Sequence, residues 1–451
     1  MSFDEAQRRL AALPSIQVTR NEPLSRHTRF ALGGPATLFA DTADEATFVE
    51  ALRLLHSARL PWLVIGLGTN LIVADRGYRG VVLRYTGCQI EANGASIHAQ
   101  AGATLQSVVD LSTAAGLQGM ESLTGIPGNL GAAIYGNAGA YGASLSDVVR
   151  RVRYFDGDQI READHAACQF RYRGSIFKQS RLAGQPWLIL SAELYFRPGD
   201  PAALQTKAAD ILATRNRKYP PEMKCAGSIF KNLILAELPP QARAAVPPEV
   251  VKGGKVPAAW FLEDVGAKGL TNGGIRVTDY HSNTLYNTGA GTTAQFLELT
   301  AELKNRVRAR HNFTLEEEVQ KVGFDERPPG LDQLESTPFI LQYLLTGLTP
   351  EELHTRPAEG APSIAEILAQ MAPGHPFALS SLESFLQSRR SMLDSLPEEA
   401  EEVVVGGRTP WSARDPLVAP ALNLAERAAQ DLTHLIQIAE IIRAVKYYPQ
   451  P

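Results

Sequence analysis

Three short polar clusters stand out in this chain of 451 residues. Segment 170–175, FRYRGS, sets Arg173 beside Tyr172 and Ser175. Segment 225–232, CAGSIFKN, places Ser228 after a glycine and before an apolar pair. Segment 315–319, LEEEV, carries three consecutive carboxylates. A guanidinium fork suits a carboxylate or a developing anion. A hydroxyl delivers a proton only at short range and with good geometry. Each cluster also has a bland reading: Arg173 as a surface charge, Ser228 as a turn hydroxyl, the glutamates as a solvated strand edge. No Ser-His-Asp arrangement or HExxH motif accompanies them, and no His/Cys set has metal-ligand spacing, so no metal is expected.

Two glycine-rich loops offer a different chemistry. Segment 65–73, IGLGTNLIV, reads as a strand, a tight turn and a second strand. Gly66 and Gly68 permit positive φ and close backbone approach to an anion, Thr69 and Asn70 add side-chain donors, and Leu71 follows. This is not the GxGxxG dinucleotide fingerprint, and no helix follows at once. The second loop, 125–142, holds six glycines in eighteen residues. Gly125, Ile126, Pro127, Gly128, Asn129, Gly131, Ala132, Asn137, Gly139 and Ala140 belong to it. So much backbone freedom exceeds what a turn needs, and points to close packing against a flat or phosphorylated ligand.

The elements that would position these residues fall into three regions. Over about 15–200, short β-branched runs at 62–65, 71–73, 81–84, 149–155 and 187–196 alternate with helical stretches at 43–58 and 105–115. A second α+β unit, about 201–324, opens with a helix near 201–217 and closes with one near 293–310. Segment 325–331, DERPPGL, reads as a linker. Over 332–451 the strand signals nearly vanish and a small bundle of about four helices is expected. One helix starts at 363 with SIAE, a capping-box pattern. The last, over 419–445, carries one apolar stripe.

The chain is long enough for two or more domains. Hydrophobic and charged contents of 44% and 20% are ordinary for a globular protein, and a net charge of −4 gives no reason to expect nucleic acid or an anionic membrane. The N-terminal stretch is an amphipathic helix pattern without signal-peptide layout. The longest apolar run, 61–74, is too short and too interrupted to span a bilayer. Cys88, Cys168 and Cys225 show no disulfide framework, which suits a cytoplasmic location.

Taken in order, these motifs resemble the UDP-N-acetylenolpyruvoylglucosamine reductase (MurB) family of peptidoglycan synthesis. The matching stretches are 27–36 (HTRFALGGPA), 65–73, 119–142, 172–175, 226–232, 255–263 (KVPAAWFLE), 281–287 (HSNTLYN) and 315–319. The resemblance implies an α+β fold. Residues 1–200 would form a two-part FAD-binding domain of the vanillyl-alcohol-oxidase (PCMH) type, and 201–324 a substrate-binding domain. It implies non-covalent FAD, NADPH as reductant, and UDP-N-acetylglucosamine enolpyruvate as substrate. It gives Arg173 the role of electrophilic clamp, Ser228 that of proton donor, and Glu318 that of assisting carboxylate, with Glu316 and Glu317 adjoining. Tyr172, Lys218, Asn232, His281 and Asn283 would contact substrate. Asn129 stands where a small hydroxyl residue is usual, Ala132 replaces a common second glycine, and Thr69 a common serine; all keep hydrogen bonding or small size.

The last 120 or so residues faintly resemble a DinB-like four-helix bundle, through 363–370 and 430–437. That family presents three metal-binding histidines; here Gln370 and Gln430 stand at two places and only His434 remains. One imidazole does not make a metal site, so a dimerisation or partner-docking module is expected. Two other functions fit parts of the pattern. A flavin oxidase would keep the glycine loops but would not need the Ser228 and Glu318 pair. A non-enzymatic scaffold would not need the three reactive positions.

Overall fold

The computed structural model describes residues 1–182, 184–324, 349–358, 360–371 and 437–438. The chain divides into two compact units, Met1–Phe324 and Asp325–Pro451. Three sheets organise the first.

The first sheet begins with a helix cap. Ser2 accepts from the Glu5 amide and starts helix Phe3–Ala11, which buries Ala6 and Leu10. Strands then run in the order Ile16–Pro23, Pro35–Thr42, Tyr78–Tyr85, Trp62–Ile65. The first pair is antiparallel and the other two are parallel. The parallel connection uses helix Glu45–Ala58, capped by Asp44 and burying Phe48, Val49, Leu52 and Leu55. Such a crossover is what parallel strands require.

The second sheet is antiparallel throughout, in the order Ile160–Asp164, Val149–Phe155, Leu188–Tyr195, Ser96–Gln100, Ile90–Asn93. Its alternating burial puts Ile97, Ala99, Val152, Ala192 and Leu194 against helix Leu105–Ala114 and the second glycine loop. The third sheet, Cys225–Ser228, Thr284–Asn287, Ile275–Val277, Thr271–Asn272, is also antiparallel. Helix Thr293–His311 covers it with Phe296, Leu299, Leu303 and Val307. That core also takes Phe30, Leu32 and Ile72 from the first sheet's region.

Most expected elements stand where the patterning put them. Strand Val149–Phe155 matches in full, and helix Pro201–Lys218 extends its expected span by one residue. Beyond residue 324, helix Ile364–Met371 carries the expected box: the Ser363 amide donates to Glu366 at 2.7 Å and the Glu366 amide to Ser363 Oγ at 3.3 Å. A further short helix spans Pro350–His354. Segment 325–331, most of the helix over 419–445, Gln430 and His434 lie outside the described residues. No helix among the described residues is long and apolar enough to cross a membrane.

Candidate active site

The two glycine loops meet. Thr69 Oγ1 donates to the Pro127 carbonyl at 3.2 Å. Gly68 has φ +63°, and a Cβ there would stand 1.9 Å from the His27 carbonyl oxygen. A Cβ on Gly66 would meet Asn129 Oδ1 at 2.6 Å. Asn129 caps helix Leu130–Tyr135 by accepting from the Ala132 amide at 3.1 Å, which explains why an amide serves where a hydroxyl was expected. The two loops line a cavity of about 590 Å³. That volume lies in the range of cofactor sites. Gly66, Gly68, Thr69, Asn70, Leu71, Ile126, Pro127, Gly128, Asn129, Gly131, Ala132, Gly139 and Ala140 line it. Arg173, Lys178, Arg215 and Lys218 line it as well, so a long, dianionic, partly aromatic ligand such as FAD fits the donor set.

Strand pairing brings the reactive side chains to the same cavity. Strand Gln320–Val322 runs parallel to Leu71–Val73, and the Gln320 amide donates to the Asn70 carbonyl at 2.9 Å. Asn70 Nδ2 donates to the Glu318 carbonyl at 3.1 Å. On its other side the Glu318 amide donates to the Ile229 carbonyl at 2.7 Å, and the Lys231 amide to that of Glu316 at 2.9 Å. One extended segment is thus hydrogen-bonded to the first glycine loop and to the segment after Ser228.

The three glutamates part company there. Glu316 pairs with Lys231 at the surface, and Glu317 with Lys304 and Lys321. Glu318 turns into the cavity, where Arg173 Nε stands 2.6 Å from its Oε1, an ion-pair contact without hydrogen-bond alignment. Burial pushes the Glu318 carboxyl above its ordinary range, against the pull of Arg173 and Lys178. Such a group holds or shares a proton more readily than a solvated glutamate.

Arg173 sits in a tight turn with φ +54°, a left-handed conformation costly for a residue with a Cβ. The turn is held by paired bonds between Arg171 and Gly174, each amide donating to the other's carbonyl at 3.0 Å. Lys178 Nζ donates to the Arg173 carbonyl at 3.2 Å. Burial depresses the Lys178 ammonium. Ser228 also lines the cavity, and its Oγ stands 3.2 Å from the Tyr219 hydroxyl.

Other expected site residues divide by what their side chains do. Lys218 and Asn232 line the cavity, with Asn232 Oδ1 also accepting from the Ala258 amide at 3.3 Å. Among the described residues, Gly125, Asn137, Tyr172, His281 and Asn283 are not part of the lining. Gly125 donates to Gln106. Asn137 ties the Arg171 carbonyl to the Ser146 amide. Asn283, buried, brackets Phe230 by accepting from its amide at 2.9 Å and donating to its carbonyl at 2.8 Å. It therefore braces the strand end that carries Ser228. Tyr172 accepts from the Asn232 amide at 3.3 Å and lies under the Lys255 ammonium. His281 accepts from the Asn283 amide at 3.2 Å, and burial holds its pKa at about 4. Sequence reasoning missed Lys178, Arg215 and Tyr219. Lys178 follows Ser175 by one helical turn, a spacing that could have flagged it; nothing local marked the other two.

Comparison with known proteins accords with this geometry. The family model for the C-terminal domain of UDP-N-acetylenolpyruvoylglucosamine reductase matches residues 219–322, and an FAD binding domain model matches 36–159. The UDP-N-acetylenolpyruvoylglucosamine reductase of Solibacter usitatus (strain Ellin6076) is 52% identical over 315 residues, 70% of this chain and 100% of that protein. The enzyme of that name from Heliobacterium modesticaldum is 34% identical over 316 residues, 68% of this chain and 91% of that protein. A crystal structure of UDP-N-acetylenolpyruvylglucosamine reductase from Thermus caldophilus shares 25% identity with a TM-score of 0.53, covering 68% of this chain and 98% of that one. The expected α+β, PCMH-type fold holds. With the glycine cradle, the pairing of strand Gln320–Val322 and these likenesses in agreement, the chain belongs to the UDP-N-acetylenolpyruvoylglucosamine reductase family of FAD-dependent oxidoreductases.

Proposed function

We propose that this protein reduces UDP-N-acetylglucosamine enolpyruvate to UDP-N-acetylmuramate, a step of peptidoglycan precursor synthesis, with NADPH as reductant. The observation that carries the reading is one cavity lined by the glycine cradle together with Arg173, Ser228 and Glu318. The two glycine loops would hold FAD, which when bound would supply hydride transfer from NADPH to the vinyl carbon of the substrate.

The chain's residues handle charge and the proton. Hydride addition leaves negative charge delocalised into the substrate carboxylate. Arg173, a fixed cation in a pinned turn, stabilises that charge as it develops. Ser228 gives its hydroxyl proton to the carbon beside the carboxylate. Glu318, buried and poised to hold a proton, hydrogen-bonds the same carboxylate or assists the transfer. Lys218 and Asn232 bind the diphosphate or carboxylate region, while Asn283, Tyr172 and His281 shape the wall behind them.

We divide the first unit into an FAD-binding part, 1–200, and a substrate-binding part, 201–324. The relative from Solibacter usitatus is matched over its whole length by 70% of this chain, and the family model ends at residue 322, ahead of the second unit. We assign that unit to dimerisation or to docking a protein partner. Dependence on NADPH and a sugar nucleotide, with three unbridged cysteines, fits the cytoplasm. The test is NADPH consumption by the purified full chain with and without the enolpyruvyl compound. Consumption that requires the compound is expected. Equal consumption in its absence overturns the reading.

A further inference from the structure

A serine hydroxyl is a weak acid, and a donor that leaves an alkoxide behind needs a second group to quench it. Tyr219 stands where that group belongs. Its hydroxyl is 3.2 Å from Ser228 Oγ. It follows directly on helix Pro201–Lys218, and two cations of that helix's last turn flank its ring. The Lys218 ammonium is 5.1 Å from the ring centroid and the Arg215 guanidinium carbon 5.9 Å. Both also line the cavity. Across from them the His281 ring lies 6.3 Å away, and Tyr280 fixes the local chain by donating to the Lys218 carbonyl at 3.0 Å. His281 is neutral near pH 7, because burial and Lys218 hold its pKa at about 4. The charges set against the Tyr219 ring, Lys218 and Arg215, are both positive.

We propose that Tyr219 is a proton relay behind Ser228, supplying the proton that Ser228 gives up. The proposal rests on Ser228 being the donor to substrate. As the Ser228 O–H bond breaks and a C–H bond forms beside the carboxylate, the Tyr219 O–H bond breaks and a new O–H forms on Ser228. The electron pair of the broken phenol bond stays on Tyr219 as phenolate, beside Lys218 and Arg215. Water re-protonates it after product leaves. A phenol suits this role, since its reference pKa of about 10 makes it a far stronger acid than an alkyl alcohol. Tyr219 acts through Ser228, so it positions and recharges the donor without touching the reacting carbon.

The test uses the FAD-loaded full chain and the variants Tyr219→Phe and Ser228→Ala. Phenylalanine keeps the ring and its packing, and bound FAD together with an unchanged rate of reduction by NADPH reports an intact fold. The rate at which UDP-N-acetylglucosamine enolpyruvate re-oxidises the reduced enzyme is then measured, across mixtures of light and heavy water. Tyr219→Phe is expected to slow re-oxidation by about tenfold to a hundredfold, with KM within about twofold. The curved isotope dependence of two protons in flight is expected to become the linear dependence of one. A merely structural tyrosine would not alter that dependence. Re-oxidation at the unmodified rate with the same curvature overturns the relay. If Ser228→Ala is slow while Tyr219→Phe is not, only the relay fails. If both are unaffected, the assignment of the proton donor fails with it.

Discussion

The glycine cradle and the Arg173, Ser228 and Glu318 cluster line one cavity but are built by opposite rules. The cradle is backbone: it needs the absence of side chains, as the 1.9 Å approach of a Gly68 Cβ to the His27 carbonyl shows. The cluster is side chain: it needs particular functional groups on three segments, two joined by backbone pairing and the third, the Arg173 turn, by its ion pair with Glu318. Each loop of the cradle is a continuous stretch of sequence, whereas the cluster joins distant segments, as where the Glu318 amide donates to the Ile229 carbonyl. Two kinds of damage should follow. Changes to the cradle should alter how much FAD is held, and changes to the cluster how fast each bound FAD turns over.

The largest expected effect lies in the cluster. Ser228→Ala should lower turnover per bound FAD by about a thousandfold, roughly 4 kcal/mol of barrier, with FAD content unchanged. Steady-state rates normalised to bound flavin check this, and loss of FAD in that variant would erase the distinction between the regions. Next is Gly68→Ala, which combines a positive φ with a backbone collision. It should cost about 3 kcal/mol of stability or more, seen as a lower thermal midpoint and poor FAD retention. Turnover per retained FAD should stay near the unmodified rate.

A smaller effect comes from His281. Its folded pKa of about 4 lies below the ordinary 6.5. The folded state therefore resists protonation, and stability is lost as pH falls from 6.5 toward 4. A loss on the order of 2 kcal/mol should appear in thermal midpoints over that range, and His281→Gln should flatten it. The smallest is Asn129→Ala, which removes a helix cap beside Gly66. It should cost about 1 kcal/mol and weaken FAD binding by several-fold in a flavin titration, without slowing the chemistry.

The same contrast explains what was legible in the sequence. Strand Val149–Phe155 and helix Leu105–Ala114 were readable because burial periodicity and caps are local signals. The glycine loops were readable for the same reason. Which of Glu316, Glu317 and Glu318 enters the cavity was not readable from the run itself, since the answer depends on register against Ile229 and Asn70. Family likeness singled out Glu318, and the strand register supplies the cause. Asn283 and Asn137 were named through likeness to the family, and the bonds they make, to Phe230 and to Arg171 and Ser146, depend on the fold and carry no local signal. Tyr219 gave no signal, because its partner, Ser228, is brought to it by the fold.

The most direct test of the central claim is a single turnover without oxygen. The FAD-loaded protein is reduced with NADPH, freed of nucleotide, and mixed with UDP-N-acetylglucosamine enolpyruvate. Return of the oxidised flavin spectrum together with one UDP-N-acetylmuramate per FAD is the expected result. Flavin that stays reduced with the enolpyruvyl compound, and recovers its colour only when oxygen is admitted, would contradict the reductase assignment and point to an oxidase on the same scaffold.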